Sequence, residues 1–313
     1  MGKIAFIFPG QGSQYVGMGK ELCDSFEQCR EVFDITDECL GFNFSEMIFN
    51  GKKEDLDRTE NTQPAIVTVS LAAYAALRTY NVMPHVTAGL SLGEYTALTV
   101  SGVFTQSQVI GLVRKRGRFM EEAVPDGKGK MCAVLGLTEE KVREVCQKAK
   151  EYGLVEPANF NCPGQIVIGG EAKAVEEAAK IAESEGALKC IFLSMSTPSH
   201  TELLFPAAEK LKKELDNITL GHMNIPVISN VTADYIKSVE DVKDLLYRQV
   251  MKSVLWEQSV RKMVEDGVDH FVEVGPGKTL SSFVRKINRN LKVYHVDDIK
   301  SLEETAVALK KIN

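Results

Sequence analysis

A single serine lies between two glycines in Gly89-Leu90-Ser91-Leu92-Gly93, after the apolar run from Val86 to Leu90 and before a helix-like run from Glu94 to Val100. Strand, serine and helix in that order describe a nucleophile elbow, in which the serine sits on a turn too sharp to tolerate side chains beside it. The amides that follow form a helix N-terminus, a ready site for a developing oxyanion. A chance match on an ordinary strand-to-helix turn has the same local pattern, so the other groups such chemistry needs must be found elsewhere in the chain.

A hydroxyl is a weak nucleophile near neutral pH and requires a base. The chain has five histidines: His85, His200, His222, His270 and His295. His270 and His295 fall in predicted strands, His222 in a polar loop, and His85 at the far end of the strand that leads to Ser91. His200 follows Thr197-Pro198-Ser199 and opens a predicted helix over 201–215, directly after a strand predicted over 188–194. Ligand sites in α/β sheets gather at the C-terminal ends of strands. A helix N-terminus also disfavours imidazolium, which would keep the ring neutral and able to accept a proton. The competing reading is a surface capping histidine. No acid is marked by its position as a third, orienting group.

The helix predicted over 106–123 carries Arg114, Lys115, Arg116 and Arg118. At about 100° per residue, Arg116 falls within the apolar stripe of Val109, Val113 and Met120, while the other three cations point away from it. A guanidinium facing the core needs an anion, because an unpaired buried charge is expensive. That anion is either one of the 43 acidic side chains or a carboxylate on a ligand held by a two-pronged pair.

The rest of the sequence narrows the class. Length 313, 44% hydrophobic and 26% charged residues describe an ordinary globular chain of one large domain or two. A net charge of −6 argues against a nucleic-acid binder. No apolar run reaches the roughly 18 residues of a membrane span. Seven scattered cysteines without C-x-x-C spacing read as free thiols in a reducing cytoplasm. The histidines never take H-E-x-x-H or H-x-x-x-H spacing, so no metal site is expected. Gly275-Pro276-Gly277-Lys278-Thr279 lacks the first glycine of a phosphate-binding loop, and Tyr15 replaces the third glycine of a dinucleotide fingerprint after Gly10-Gln11-Gly12.

Periodicity places strands over 3–8, 86–90, 226–230, 270–274 and 292–296, alternating with helices over 18–40, 65–79, 106–123, 201–215, 239–250, 256–266, 278–289 and 302–311. Strands alternating with helices imply a mostly parallel sheet covered on both faces. Between them the rhythm changes. Strands over 130–136, 153–159, 165–169 and 188–194, with helices over 138–150 and 171–185, run βαββαβ, the order of a ferredoxin-like unit. The expected fold is therefore α/β. A large α/β-hydrolase-like domain (1–125 and 197–313) is interrupted by an inserted ferredoxin-like subdomain (126–196).

Several further segments complete a pattern: Phe8-Pro9-Gly10-Gln11-Gly12-Ser13-Gln14, Thr62-Gln63-Pro64-Ala65, Glu94-Tyr95 after the elbow, and Arg116-Gly117-Arg118-Phe119-Met120. With them come Asn159-Phe160-Asn161-Cys162-Pro163-Gly164-Gln165, Pro198-Ser199-His200, Arg248-Gln249 and Glu273-Val274-Gly275-Pro276-Gly277. Taken together, nearly end to end, the chain resembles the malonyl-CoA:acyl carrier protein transacylase family. The resemblance implies that Ser91 is acylated, that His200 is its base, and that Arg116 grips the malonyl carboxylate. The backbone amides of Gln11 and Leu92 would form the oxyanion hole, and Gln249 would orient His200 through its main-chain carbonyl. Gln63, Asn159, Asn161 and Leu90 would lie at the acyl pocket.

The implied substrates are malonyl-CoA and the phosphopantetheine thiol of an acyl carrier protein. No permanent cofactor, nucleic acid or membrane is implied, and the chain would act as a monomer. Three positions depart from the family: Leu90 where His is usual, Cys162 where Ser is usual, and Ser253 where Pro is common after Arg248-Gln249. Arg285, Lys286, Arg289, Lys292 and Lys189 are candidates for docking an acidic carrier, or else a solvated face. The same serine and histidine could instead serve a thioesterase, a carrier-binding module without catalysis, or an acyltransferase loading a polyketide synthase.

Overall fold

The computed structural model describes residues 2–125, 127–193 and 197–310. Ser194, which ends the strand predicted over 188–194, Lys311, which ends the helix predicted over 302–311, and Asp126 and Ser196 at the predicted subdomain borders lie outside the described residues.

Among the described residues, eight strands form two sheets. They are β1 (Lys3–Phe8), β2 (Val86–Gly89), β3 (Gly129–Leu135), β4 (Val155–Cys162), β5 (Gln165–Glu171), β6 (Lys189–Phe192), β7 (Val268–Val274) and β8 (Lys292–Val296). The first sheet is parallel, in the order β2-β1-β7-β8. After Lys3, every residue of β1 is buried, as expected for a strand covered on both faces. Phe8 stands beside Gly89. The chain therefore leaves β1 as Pro9-Gly10-Gln11 next to the point where it leaves β2 as Leu90-Ser91. Two segments some eighty residues apart in sequence meet at one sheet edge for that reason.

The second sheet is antiparallel, in the order β4-β5-β3-β6. β3 and β5 alternate between the two faces, and β4 does so with two breaks in its register, between Pro157 and Asn159 and between Phe160 and Cys162. Cys132, Val134, Phe160, Ile166 and Ile168 pack under the helices Glu139–Ala149 and Ala172–Ser184. Met131, Ala133 and Val167 face the other way. With Asn159 and Asn161, they line a cleft that is closed on its other side by residues following β1 and β2.

Four expectations are corrected by the structure. The helix expected over 18–40 is two, Lys20–Ser25 and Glu27–Leu40, because Phe26 takes an extended conformation between them. The helix expected from 65 starts at Thr59 and carries Pro64 inside it. Nearly all of its residues through Leu77 are buried, and that burial outweighs the hydrogen bond Pro64 removes. The strand expected over 226–230 shrinks to single bridges, Thr87 with Val227 and Ile228 with Tyr235, because the chain turns back through Ser229–Ala233. Short helices at Phe44–Asn50 and Lys53–Leu56 occupy a stretch expected to be loop.

Glycine is required on both sides of Ser91. A Cβ on Gly89 would lie 1.9 Å from the Gly93 carbonyl carbon, and one on Gly93 would lie 2.0 Å from the Phe8 oxygen. At Gly111, inside the helix Gln106–Ala123, the nearest such contact is the Cys39 sulfur at 3.9 Å. Replacing Gly93 by Ala should lower stability by about 1–3 kcal/mol or more through overpacking. Gly111→Ala should raise it by about 0.5–1 kcal/mol through helix propensity. Urea unfolding of the two variants measures both, and equal effects would contradict the close approach at Gly93.

Candidate active site

Ser91 has φ 54°, a left-handed conformation rare for a residue with a side chain. Its backbone is held on three sides. The Ser91 N–H donates to Asn230 Oδ1 at 2.6 Å, and the Ser91 carbonyl accepts from Gln249 Nε2 at 3.0 Å. Asn230 Nδ2 donates to the Gly89 carbonyl at 2.7 Å. Strain of this kind persists only where surrounding bonds over-determine it.

His200 is buried and also left-handed, with φ 63°. Its Nε2 lies 2.7 Å from Ser91 Oγ, and its Nδ1 lies 2.7 Å from the Gln249 carbonyl oxygen. A carbonyl can only accept, so Nδ1 carries the proton and Nε2 offers a lone pair to the Ser91 hydroxyl. Burial, and secondarily the charge of Arg116, lowers the His200 pKa to about 4. The neutral ring was expected from a helix N-terminus. Instead, Thr201 is extended, a 3-10 turn covers Glu202–Leu204, and the α-helix starts only at Phe205. Desolvation and a neighbouring cation do the work assigned to the helix dipole.

Arg116 is buried in the stripe where the sequence placed it. Gly117 allows this, since a Cβ there would meet the Thr59 oxygen at 2.5 Å. The helices Gln106–Ala123 and Thr59–Thr79 therefore approach closely, and Arg116 Nη1 donates to Gln63 Oε1 at 2.9 Å. Nη2 reaches Gln249 Oε1 at 3.3 Å and Ser91 Oγ at 3.4 Å. Nε has no partner among the described residues, and no ion pair there includes Arg116. The guanidinium also lies 5.2 Å from the centre of the Tyr95 ring. Burial lowers its pKa, while Tyr95 and Glu94 raise it.

The cleft has a volume of about 700 Å³. Ser91, Arg116 and His200 open into it, as do Gln11, Leu90, Leu92, Asn159 and Asn161. Gln63 and Gln249 stand behind that wall, bonded to the groups that face it. Among the described residues, the main-chain N–H groups of Gln11 and Leu92 donate to no protein acceptor. Ser253 donates its hydroxyl to the Pro157 oxygen at 2.6 Å, which ties the segment after Gln249 to β4. Lys286 bonds Gln165 at the cleft, whereas Lys189 lies on the edge strand β6, opposite Leu135.

Two buried residues escaped the sequence reading. Asn230 comes from a turn with no sequence signal that it reaches the elbow. Glu94 had the signal of an acid in the first turn after Ser91, but no partner could be named for it. Its Oε2 accepts from Gln249 Nε2 at 2.6 Å and from the Asn230 N–H at 3.2 Å. Burial raises its pKa to about 7 against the lowering effect of those bonds and of Arg116.

A serine hydroxyl within hydrogen-bond reach of a neutral imidazole thus lies beside a guanidinium that has no ion pair among the described residues, on an α/β frame. The family model described as "Acyl transferase domain" matches residues 5–306. A malonyl CoA-acyl carrier protein transacylase of Bacillus subtilis is 46% identical over 100% of this chain and 99% of its own length. A crystal structure of the Clostridium perfringens malonyl CoA-acyl carrier protein transacylase superposes with TM-score 0.96 at 48% identity, covering 99% of this chain and 98% of that one. A malonyl-transacylase in complex with a type II PKS acyl-carrier protein superposes with TM-score 0.94 at 37% identity, covering 98% and 99%. The chain belongs to the acyl transferase domain family and, within it, to the group of the malonyl CoA-acyl carrier protein transacylases.

With His200 neutral above about 4, labelling of Ser91 by a fluorophosphonate should hold its rate from pH 7 to 5 and fall as pH drops through about 4. Rates read from intact mass test this. A fall centred near the ordinary histidine value of 6.5 would contradict the assigned environment.

Proposed function

We propose that the chain transfers the malonyl group of malonyl-CoA to the phosphopantetheine thiol of an acyl carrier protein, through an ester on Ser91. The observation that carries this reading is the Arg116 guanidinium. It is buried, makes no ion pair among the described residues, and lies 3.4 Å from a serine oxygen that is itself 2.7 Å from a neutral imidazole.

The roles follow from that arrangement. His200 Nε2 takes the Ser91 proton as Oγ attacks the thioester carbonyl. The oxyanion forms against the free N–H groups of Gln11 and Leu92, each such donor lowering the barrier by about 2.7–4 kcal/mol in comparable sites. The carbon–sulfur bond breaks, and the proton on His200 passes to the departing coenzyme A thiolate. In the second half the carrier thiol gives its proton to His200 and attacks the ester. Ser91 recovers the proton as the malonyl thioester of the carrier leaves.

Gln249 positions the imidazole through its carbonyl. A neutral carbonyl stabilises imidazolium less than a carboxylate would, which suffices for exchange between thioesters. Arg116 fixes the malonyl carboxylate, with Gln63 behind it. Asn159, Asn161 and Leu90 shape the acyl pocket.

The larger sheet and its helices (1–125 and 197–313) are read as an α/β-hydrolase-like body, and 126–196 as a ferredoxin-like insertion whose apolar face roofs the cleft. The chain is read as a monomer of the cytoplasm without a resident cofactor. Among the described residues no helix is long and apolar enough to cross a membrane.

Mixing the protein with malonyl-CoA should give one malonyl adduct by intact mass, lost on adding a thiol carrier but not in water alone. Ser91→Ala should give none. Arg116→Ala should lose malonyl loading by roughly a hundredfold to several thousandfold, the equivalent of about 3–5 kcal/mol for an unpaired buried charge, while acetyl loading holds. An adduct on Ser91→Ala would overturn the nucleophile, equal losses for both donors would make Arg116 structural, and faster release to water than to thiol would make the protein a thioesterase.

A further inference from the structure

Among the described residues, Glu94 is the one fully buried carboxyl that touches the groups around Ser91, and the proposed transfer reaction does not itself use it. We propose that Glu94 is a positioning residue that sets which end of the Gln249 amide faces Arg116, and so keeps the guanidinium oriented for an acidic acyl group. The proposal rests on the reading that Arg116 receives the malonyl carboxylate.

The geometry is specific. Gln249 Nε2 lies between two acceptors, the Ser91 carbonyl at 3.0 Å and Glu94 Oε2 at 2.6 Å. Both of those oxygens accept here, so the amide nitrogen must face them. Oε1 then has only one direction left, toward Arg116 Nη2 at 3.3 Å. Were the amide to flip, its N–H groups would point at the guanidinium and its oxygen at the Ser91 carbonyl and the Glu94 carboxyl. The Ser91 carbonyl can only accept and the guanidinium can only donate, so both repel that arrangement, and an ionised Glu94 adds to the repulsion.

The same Glu94 oxygen accepts from the Asn230 N–H at 3.2 Å, and Asn230 holds Ser91 N–H and Gly89 O. One oxygen thus ties the amide behind Arg116 to the elbow that carries the serine. The arrangement also keeps the acid one amide away from the cation. A carboxylate directly on Arg116 would occupy the place a substrate carboxylate takes. Through Gln249, the acid orients the guanidinium without covering it.

The effect should appear in donor preference, over and above any change common to both donors. Glu94 also supports the elbow through Asn230 and Gln249, which malonyl and acetyl loading share. Both donors should therefore lose some rate, and malonyl loading should lose more.

The test compares wild type, Glu94→Gln, Glu94→Asp and Glu94→Ala, each loaded with malonyl-CoA and acetyl-CoA and read by intact mass over time, with thermal melting as the folding control. Glu94→Gln keeps an acceptor at the same reach and should preserve the malonyl-to-acetyl preference within about threefold. Glu94→Asp keeps the acid but withdraws it by one methylene. That variant and Glu94→Ala should each lower the preference by about tenfold or more, the size of a lost hydrogen bond to a charged group. Acetyl loading, which shares the elbow but lacks the carboxylate, is the reference against which the preference is read.

The opposite order, with Asp preserving the preference and Gln losing it, would show that charge rather than amide orientation matters and would overturn the proposal. So would equal losses for both donors, or an unchanged preference in Glu94→Asp. If Glu94→Ala does not fold, the Gln and Asp variants decide alone. Absence of a malonyl adduct on wild type would instead refute the acyl-transfer reading, so the two failures are distinct.

Discussion

Arg116 keeps a positive charge out of water, and the hydrogen-bond acceptors it meets among the described residues are neutral: the Gln63 and Gln249 side-chain carbonyls and the Ser91 hydroxyl. Burial disfavours the charge, yet guanidinium remains protonated in proteins and cannot escape by neutralising. A site that retains such a group is incomplete until an anion enters it. The cation also disfavours imidazolium at His200, which helps hold that ring in the form that can take a proton. In the proposed reaction, selectivity for an acidic acyl group and readiness of the base would both derive in part from this one side chain.

Holding these groups within hydrogen-bond reach is the task of the scaffold. Register at Phe8 and Gly89 brings the Gln11 loop beside Ser91. Close approach at Gly117 seats Arg116 against Gln63, and the bridges of Val254 to β4 and Ser253 to Pro157 anchor the segment that follows Gln249. The antiparallel sheet contributes its face without helices as the opposite wall. Beneath the serine, Asn230, Gln249 and Glu94 hold a backbone conformation that the side chain itself disfavours. None of these three is near Ser91 in sequence except Glu94, and together they are where local strain and long-range order meet.

Much of this was legible in the chain. Glycines around Ser91 announced the turn, and the apolar stripe of the helix Gln106–Ala123 marked Arg116 as the cation facing inward. The βαββαβ rhythm gave the second sheet its element order, whereas Asn159 and Asn161 came from the family resemblance, the predicted strand ending at 159 before Asn161. Legibility failed where partners come from turns. Asn230 reaches the elbow from a segment that alternation read as a strand. The break at Phe26 and the early start of the helix at Thr59 depend on packing that no local propensity encodes. The neutrality of His200 was anticipated for the wrong reason, since burial depends on what the fold places over the ring rather than on the residues next to it.

The most direct test is a crystal structure of the protein after reaction with malonyl-CoA, with the acyl ester trapped. The ester should be on Ser91 Oγ, its carbonyl oxygen facing the Gln11 and Leu92 N–H groups, and its free carboxylate in a two-pronged pair with Arg116. A carboxylate directed to solvent, with Arg116 still bound only to Gln63 and Gln249, would contradict the account.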